Sequence, residues 1–179
     1  MNLDAFLVFR DNKKSLQYTS RDTDKEPIQY MTFNTKKVID FDSVKTEVTS
    51  ESFRVKDNVA RSVDALFSVD DGLLMVEFKN GDFSGIEIAQ KVNNSILLFN
   101  HITKVQIDFT RENMSFVLVY NKESKRLNYM DAIALHKARL AHEGLKLFGT
   151  DKLKGFSLKK VYMLEKSEFD KFLDIIWTA

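Results

Sequence analysis

Two β-rich runs, 61–68 (RSVDALFS) and 73–79 (LLMVEFK), are separated only by Val-Asp-Asp-Gly. Runs this close around an Asp-Gly step leave one compact arrangement, an antiparallel hairpin, because Gly72 accepts positive φ without a steric cost. Side chains alternate along a strand. Glu77 and Lys79 therefore share one face of the second strand, with Leu74, Val76 and Phe78 on the other. On the first strand Ser62, Asp64, Leu66 and Ser68 share a face opposite Val63, Ala65 and Phe67. A four-residue Val69–Gly72 loop pairs Ser68 with Leu73 and sets Asp64 opposite Glu77. A two-residue Asp71–Gly72 loop sets Asp64 opposite Lys79 and diagonal to Glu77. Both registers put Asp64, Glu77 and Lys79 on one face.

The remaining pattern is α+β. Residues 3–9 (LDAFLVF) and 28–40 (IQYMTFNTKKVID) read as strands on either side of a polar, turn-rich stretch over 11–27. Residues 42–53 read as a polar helix. A second helix starts at Ser84, where Ser84 and Glu87 form the S-x-x-E capping pattern ahead of Ile86, Ala89, Val92, Ile96 and Phe99. Residues 114–120 (MSFVLVY) read as a strand, preceded by a further strand over 104–109. A helix is expected over about 130–147, begun by Asn128 or Asp131 and ended by Gly149. A strand over 154–164 and a closing helix over 167–177, capped by Ser167, complete the chain. The order implies a central mixed sheet flanked by helices.

The chain of 179 residues contains one Pro, six Gly and no repeat or linker, and 44% of it is hydrophobic. One domain is expected, long enough to bury roughly 70% of its unfolded surface without a staple. The absence of Cys excludes a disulfide framework, a thiolate zinc site, an iron–sulfur cluster and a Cys nucleophile. Apolar stretches such as 72–76 and 116–120 are far shorter than the ~20 residues that span a bilayer. MNLDAFLVFRDNKK has no basic n-region, so no signal peptide and a cytoplasmic location are expected. There is no G-x-S-x-G, no phosphate-binding G-x-x-x-x-G-K-[ST] and no Rossmann glycine pattern. His136 and His142 are six apart, on different helix faces, and His101 near a helix end suits carbonyl capping. The net charge is +1, but residues 121–160 hold ten Lys or Arg against four Asp or Glu. That basic segment is either a solvated face or a surface for phosphates.

The charged face of the hairpin carries the chemistry. Directly opposed Cβ atoms lie about 4.5–5.5 Å apart, and two carboxylates that close repel unless a cation lies between them. A hard divalent cation suits one or two carboxylates plus waters, and it can generate hydroxide and offset transition-state charge. A Lys one strand repeat away can stabilise that charge. A lone Glu-x-Lys on an exposed strand is ordinarily a solvated pair. Asp64, on the same face, makes the pattern more specific.

The stretch VDALFSVDDGLLMVEFKNGDFSGIEIAQKV resembles the PD-(D/E)XK nuclease superfamily, the restriction-endonuclease-like fold. Asp64 matches its metal-binding Asp, and Glu77 and Lys79 match its (D/E)-x-K. The order of helix, hairpin, helix and strand over about 42–121 is similar to its αβββαβ core, although Val63 stands where the family has Pro. The resemblance implies an Mg²⁺- or Mn²⁺-dependent nuclease acting on nucleic acid, usually DNA. Asp64 and Glu77 would be metal ligands and Lys79 catalytic. It also implies a Glu from the preceding helix, Glu47 or Glu51, as a further ligand, and a polar residue on the following helix, Gln90 with Lys91 beside it. Lys91, Lys122, Lys125, Arg126, Lys137 and Arg139 are candidates for gripping phosphates, and Phe83 for stacking on a base. A homodimer or an inhibitor or companion protein suits such a chain. The alternatives are a non-catalytic nucleic-acid- or protein-binding module on the same fold, or a toxin-like nuclease effector.

Overall fold

The computed structural model describes residues 1–55, 59–124 and 152–177. Its centre is β5 (Ala65–Val69) and β6 (Gly72–Lys79). They pair antiparallel with Ser68 opposite Leu73 and Ala65 opposite Val76. This is the register expected of the longer loop, yet Val69 also pairs with Gly72, so only Asp70 and Asp71 form the turn. Gly72 takes φ 125°, and a Cβ there would collide with the Asn113 carbonyl oxygen. The turn is held from outside as well. Asp71 accepts from Lys159 at 2.6 Å and Lys160 at 3.0 Å, and the Asp70 N–H donates to Ile176 O at 3.2 Å.

Around the hairpin, β1 (Lys13–Ser15), β4 (Lys37–Asp40), β7 (Met114–Tyr120) and β8 (Lys160–Glu165) complete a six-stranded sheet in the order β1-β4-β5-β6-β7-β8. The β1-β4-β5-β6 side is antiparallel, while β6-β7 and β7-β8 are parallel. Parallel neighbours need crossovers with both sheet faces covered. That explains why Leu73 to Phe78 and all of β7 are buried. One face packs under α3 (Phe41–Glu51) and α4 (Gly85–Thr103), with Leu66, Met75, Phe116 and Leu118 meeting Val44, Ile88, Val92 and Phe99. The other face puts Phe67, Leu74, Val76 and Phe78 against Phe169 and Leu173 of α6 (Lys166–Ile176). A separate ribbon pairs β2 (Arg21–Asp22) with β3 (Gln29–Tyr30).

The α+β class, the mixed sheet and the 114–120 strand are as the sequence predicts. Several elements differ. Residues 3–9 are not a strand. Leu3–Ala5 is a 3₁₀ turn capped by Asn2, followed by α1 (Leu7–Asp11). Leu3 and Phe9 are buried and Phe6 packs beside them, while Leu7 is exposed, so the spacing is three residues and not two. The 28–40 run contributes only β3 and β4, and the stretch taken as turns contains β1, α2 (Leu16–Thr19) and β2. Residues 104–109 do not form a strand either. Lys104 adopts φ 61° with its N–H returning to Asn100 O, and α5 (Ile107–Asn113) follows, with Phe109 stacked on Phe99. His101 packs on the Phe53 ring instead of capping. The final strand begins at Lys160, and Glu165 caps α6 in a box with Glu168, in place of Ser167. Among the described residues two strands, not three, lie between α3 and α4. The third antiparallel strand, β4, enters from before α3. The helix expected over 130–147 and its two histidines fall outside the described residues.

Candidate functional site

Glu77 lies near the C-terminal end of β6, opposite Leu118 of β7, and is only 1% exposed. A carboxylate in a strand covered on both faces must find cations, and two reach it. Lys79, two residues on and therefore on the same face, places Nζ 3.1 Å from Oε1. Lys91, from α4 above, places Nζ 2.6 Å from the same oxygen. Glu87 and Lys91 lie one turn apart on α4, and Glu87 adds a longer contact to Lys79 at 3.9 Å and a bond to Arg61 at 3.0 Å. Glu77 Oε2 is also buried and has no hydrogen-bond partner among the described residues.

Asp64 immediately precedes β5. Its N–H donates to Val76 O, one step out of the hairpin register, and its Oδ2 accepts from the Phe78 N–H at 2.6 Å. The carboxylate thus takes up a main-chain donor of β6 next to Glu77. Burial, then the charge of Glu77, raises Asp64 well above the ordinary carboxylate range, with Lys91 opposing. Burial also raises Glu77, against the pull of Lys91 and then Lys79. Lys91 is held above its usual value: burial works against its charge, but Glu77 and then Asp64 outweigh burial. Desolvation is the main cause for both acids, and at Asp64 like-charge repulsion adds a lesser one.

Two clefts meet at Asp64. The first, about 600 Å³, is lined by Arg21, Asp40, Asp42, Glu47, Glu51 and Asp64 among others. The second, about 420 Å³, runs from Arg21 and Asp64 past Lys79 to Asn80 and Asp82. Glu77 lines neither and sits behind Asp64 and Lys79. Several acids of the first cleft are already engaged. Asp40 caps α3 through Ser43, Asp42 accepts from Ser62 Oγ, and Glu47 accepts from Asn12 Nδ2 at 2.7 Å. Glu51 is exposed.

The structure therefore brings Asp64, Glu77, Lys79 and Lys91 together, with Glu47 and Glu51 on the wall of the adjoining cleft. Among the described residues no group of three or more His, Cys, Asp or Glu is arranged to hold a metal. Gln90 is exposed, one residue before Lys91. Val92, Ile96 and Phe99 of the expected stripe of α4 are buried, but Ile86 is 75% exposed and the first turns bury Ile88 in its place. On this helix Lys91, one residue before Val92, reaches Glu77, while Gln90 faces solvent. Phe83 packs on the core under α4. Lys122 lies 4.0 Å from Glu165 at the sheet end, whereas Lys125, Arg126, Lys137 and Arg139 lie outside the described residues. Sequence reading missed Arg21, Asp40 and Asp42, which carry no motif and meet Asp64 only through the fold. The chain matches no protein-family model and no curated protein, and no solved structure matches its fold. No helix among the described residues is long and apolar enough to cross a membrane.

Proposed function

We propose that the chain is a metal-dependent nuclease hydrolysing phosphodiester bonds of nucleic acid, most readily DNA. The observation that carries this reading is the divided carboxylate of Glu77. One oxygen is neutralised by two lysines, and the other is buried with no partner among the described residues. An unfilled carboxylate oxygen in a dry site is costly unless a cation completes it. Glu77 Oε2 and Asp64 would hold Mg²⁺ or Mn²⁺, and a pair of carboxylates suffices for an ion that keeps several of its waters. Such an ion, when bound, supplies an acidified water and offsets negative charge on the phosphorus centre.

The protein's own groups have distinct tasks in this scheme. Lys79, which lines the cleft, stabilises developing negative charge on a phosphate oxygen. Lys91 holds Glu77 in its rotamer. The raised Asp64 and Glu77 ionise as pH rises, and only the ionised forms bind a hard cation. The test is incubation of plasmid, linear and single-stranded DNA, and RNA, with Mg²⁺ or Mn²⁺ and a chelator control. Glu77→Gln and Lys79→Ala should each slow cleavage by about 10²–10³-fold while nucleic-acid binding persists. Absence of cleavage by the wild type in any divalent metal would defeat the proposal. The ion pair of Lys91 with Glu77 favours the second reading, a non-catalytic binding module in which the triad is purely structural.

A further inference from the structure

Within the acidic first cleft, Arg21 is the only Lys or Arg among the described lining residues, and it borders the second cleft too. Its guanidinium forms no ion pair among the described residues. Instead its Cζ lies 3.5 Å from the centre of the Tyr18 ring. An exposed Arg amid five carboxylates could turn to one of them; instead it lies over Tyr18 while lining both clefts.

Its mounting is rigid. Arg21 pairs with Tyr30 across the β2–β3 ribbon, and the next cross-strand pair is Asp22 with Gln29. Both members of that pair accept from Asn80 Nδ2, at 2.9 and 2.8 Å. Asn80 follows Lys79 directly, is buried, and accepts through its Oδ1 from Asn121 Nδ2 at 2.7 Å. The ribbon is thus bolted to the C-terminal ends of β6 and β7, the strand bearing Glu77 and Lys79 and its parallel neighbour. Ligands of parallel sheets sit at such ends.

We propose that Arg21, stacked on Tyr18, is the phosphate-gripping residue of this cleft and holds a nucleic-acid strand beside Asp64. A guanidinium binds phosphate oxygens two at a time, and it supplies the positive charge that the acidic walls deny to a polyanion. The proposal takes its substrate class from the nuclease reading, but its test reads binding, so the two fail separately.

The experiment measures anisotropy of a short labelled DNA duplex with the full chain in Ca²⁺ across a salt series. Arg21→Gln should bind roughly 10- to 100-fold more weakly, as for a lost charge-assisted hydrogen bond, and the slope of log K against log salt should shrink by about 0.9. Arg21→Lys should keep the slope yet bind more weakly than wild type. Tyr18→Leu should weaken binding while Tyr18→Phe does not. Lys171→Gln, exposed on α6 and lining neither cleft, should change nothing, and circular dichroism should be unaltered throughout. An Arg21→Gln protein with wild-type affinity and slope overturns the proposal, as does a wild type that does not bind DNA. Binding that depends on Arg21 in a protein that never cuts supports Arg21 and removes only the nuclease reading.

Discussion

Replacing Lys91 with Met tests the electrostatic centre of the molecule. The change keeps the unbranched shape of the side chain, one atom shorter, and deletes an ammonium 2.6 Å from Glu77 Oε1. At an effective dielectric of about 20, unit charges at that separation attract by roughly 6 kcal/mol. Part of this is offset because Lys91 no longer has to be desolvated. Removing one partner of a buried pair costs about 3–5 kcal/mol, and Lys79 stays 3.1 Å from the same oxygen. The expected loss at neutral pH is therefore near the low end, about 3 kcal/mol. In a chain of this length each kcal/mol moves the thermal midpoint by about 2–4 °C, so the midpoint should drop by roughly 6–12 °C. The pH dependence supplies a sharper signature. Burial already raises Glu77 above its ordinary 4.5, and losing Lys91 raises it further. A carboxyl whose pKa is higher folded than unfolded contributes full stability below the unfolded value and loses it as pH climbs through the folded value. The deficit of Lys91→Met should thus widen as pH rises above 4.5 and close on acidification. Adding Glu77→Gln should recover part of the loss. Calorimetry or urea unfolding of wild type, Lys91→Met, Glu77→Gln and the double variant across a pH series measures this. A Lys91→Met protein as stable as wild type at pH 8, or a deficit independent of pH, would refute the reasoning.

Three further outcomes are expected. Mg²⁺ or Mn²⁺ should raise the thermal midpoint of the wild type, more at higher pH because Asp64 and Glu77 must ionise to bind it; Asp64→Asn should abolish the shift. Gly72→Ala places a Cβ against the Asn113 carbonyl at φ 125°, and urea unfolding should show a loss of about 2 kcal/mol or more. Asp71, held by Lys159 and then Lys160, has its pKa lowered from 3.8 to about 2. Its contribution should be present above pH 3.8 and be lost as pH falls toward 2, and Asp71→Asn should remove that component of an acid titration followed by circular dichroism.

Local chemistry was legible wherever a short segment determines its own geometry. The Asp-Asp-Gly turn specifies a hairpin because Gly72 alone tolerates its φ. The Ser84–Glu87 pattern starts α4 because Ser84 accepts from the Glu87 N–H, and alternation puts Glu77 and Lys79 side by side. MSFVLVY reads as a strand because seven consecutive apolar or small residues suit burial on both faces. Where two periods compete, local reading failed: after Asp4, residues 5–9 (AFLVF) are a continuous apolar run, and only packing of Leu3 and Phe9 on the core reveals the three-residue spacing.

The sequence by itself determined the α+β class, the hairpin at its centre and the shared face of Glu77 and Lys79, because each depends on residues within a few positions of one another. Tertiary structure decided what that charged face means. Whether Glu77 is solvated or buried depends on β7 and α4 covering it, and the phase of α4 is set by its fit to Leu66, Met75 and Phe116 of the sheet. That phase brings Lys91, and not Gln90, to the carboxylate, while Asn80 anchors the ribbon that carries Arg21. Contacts across such separations leave no periodic trace in the chain, since they arise only when distant elements compete to fill the same core.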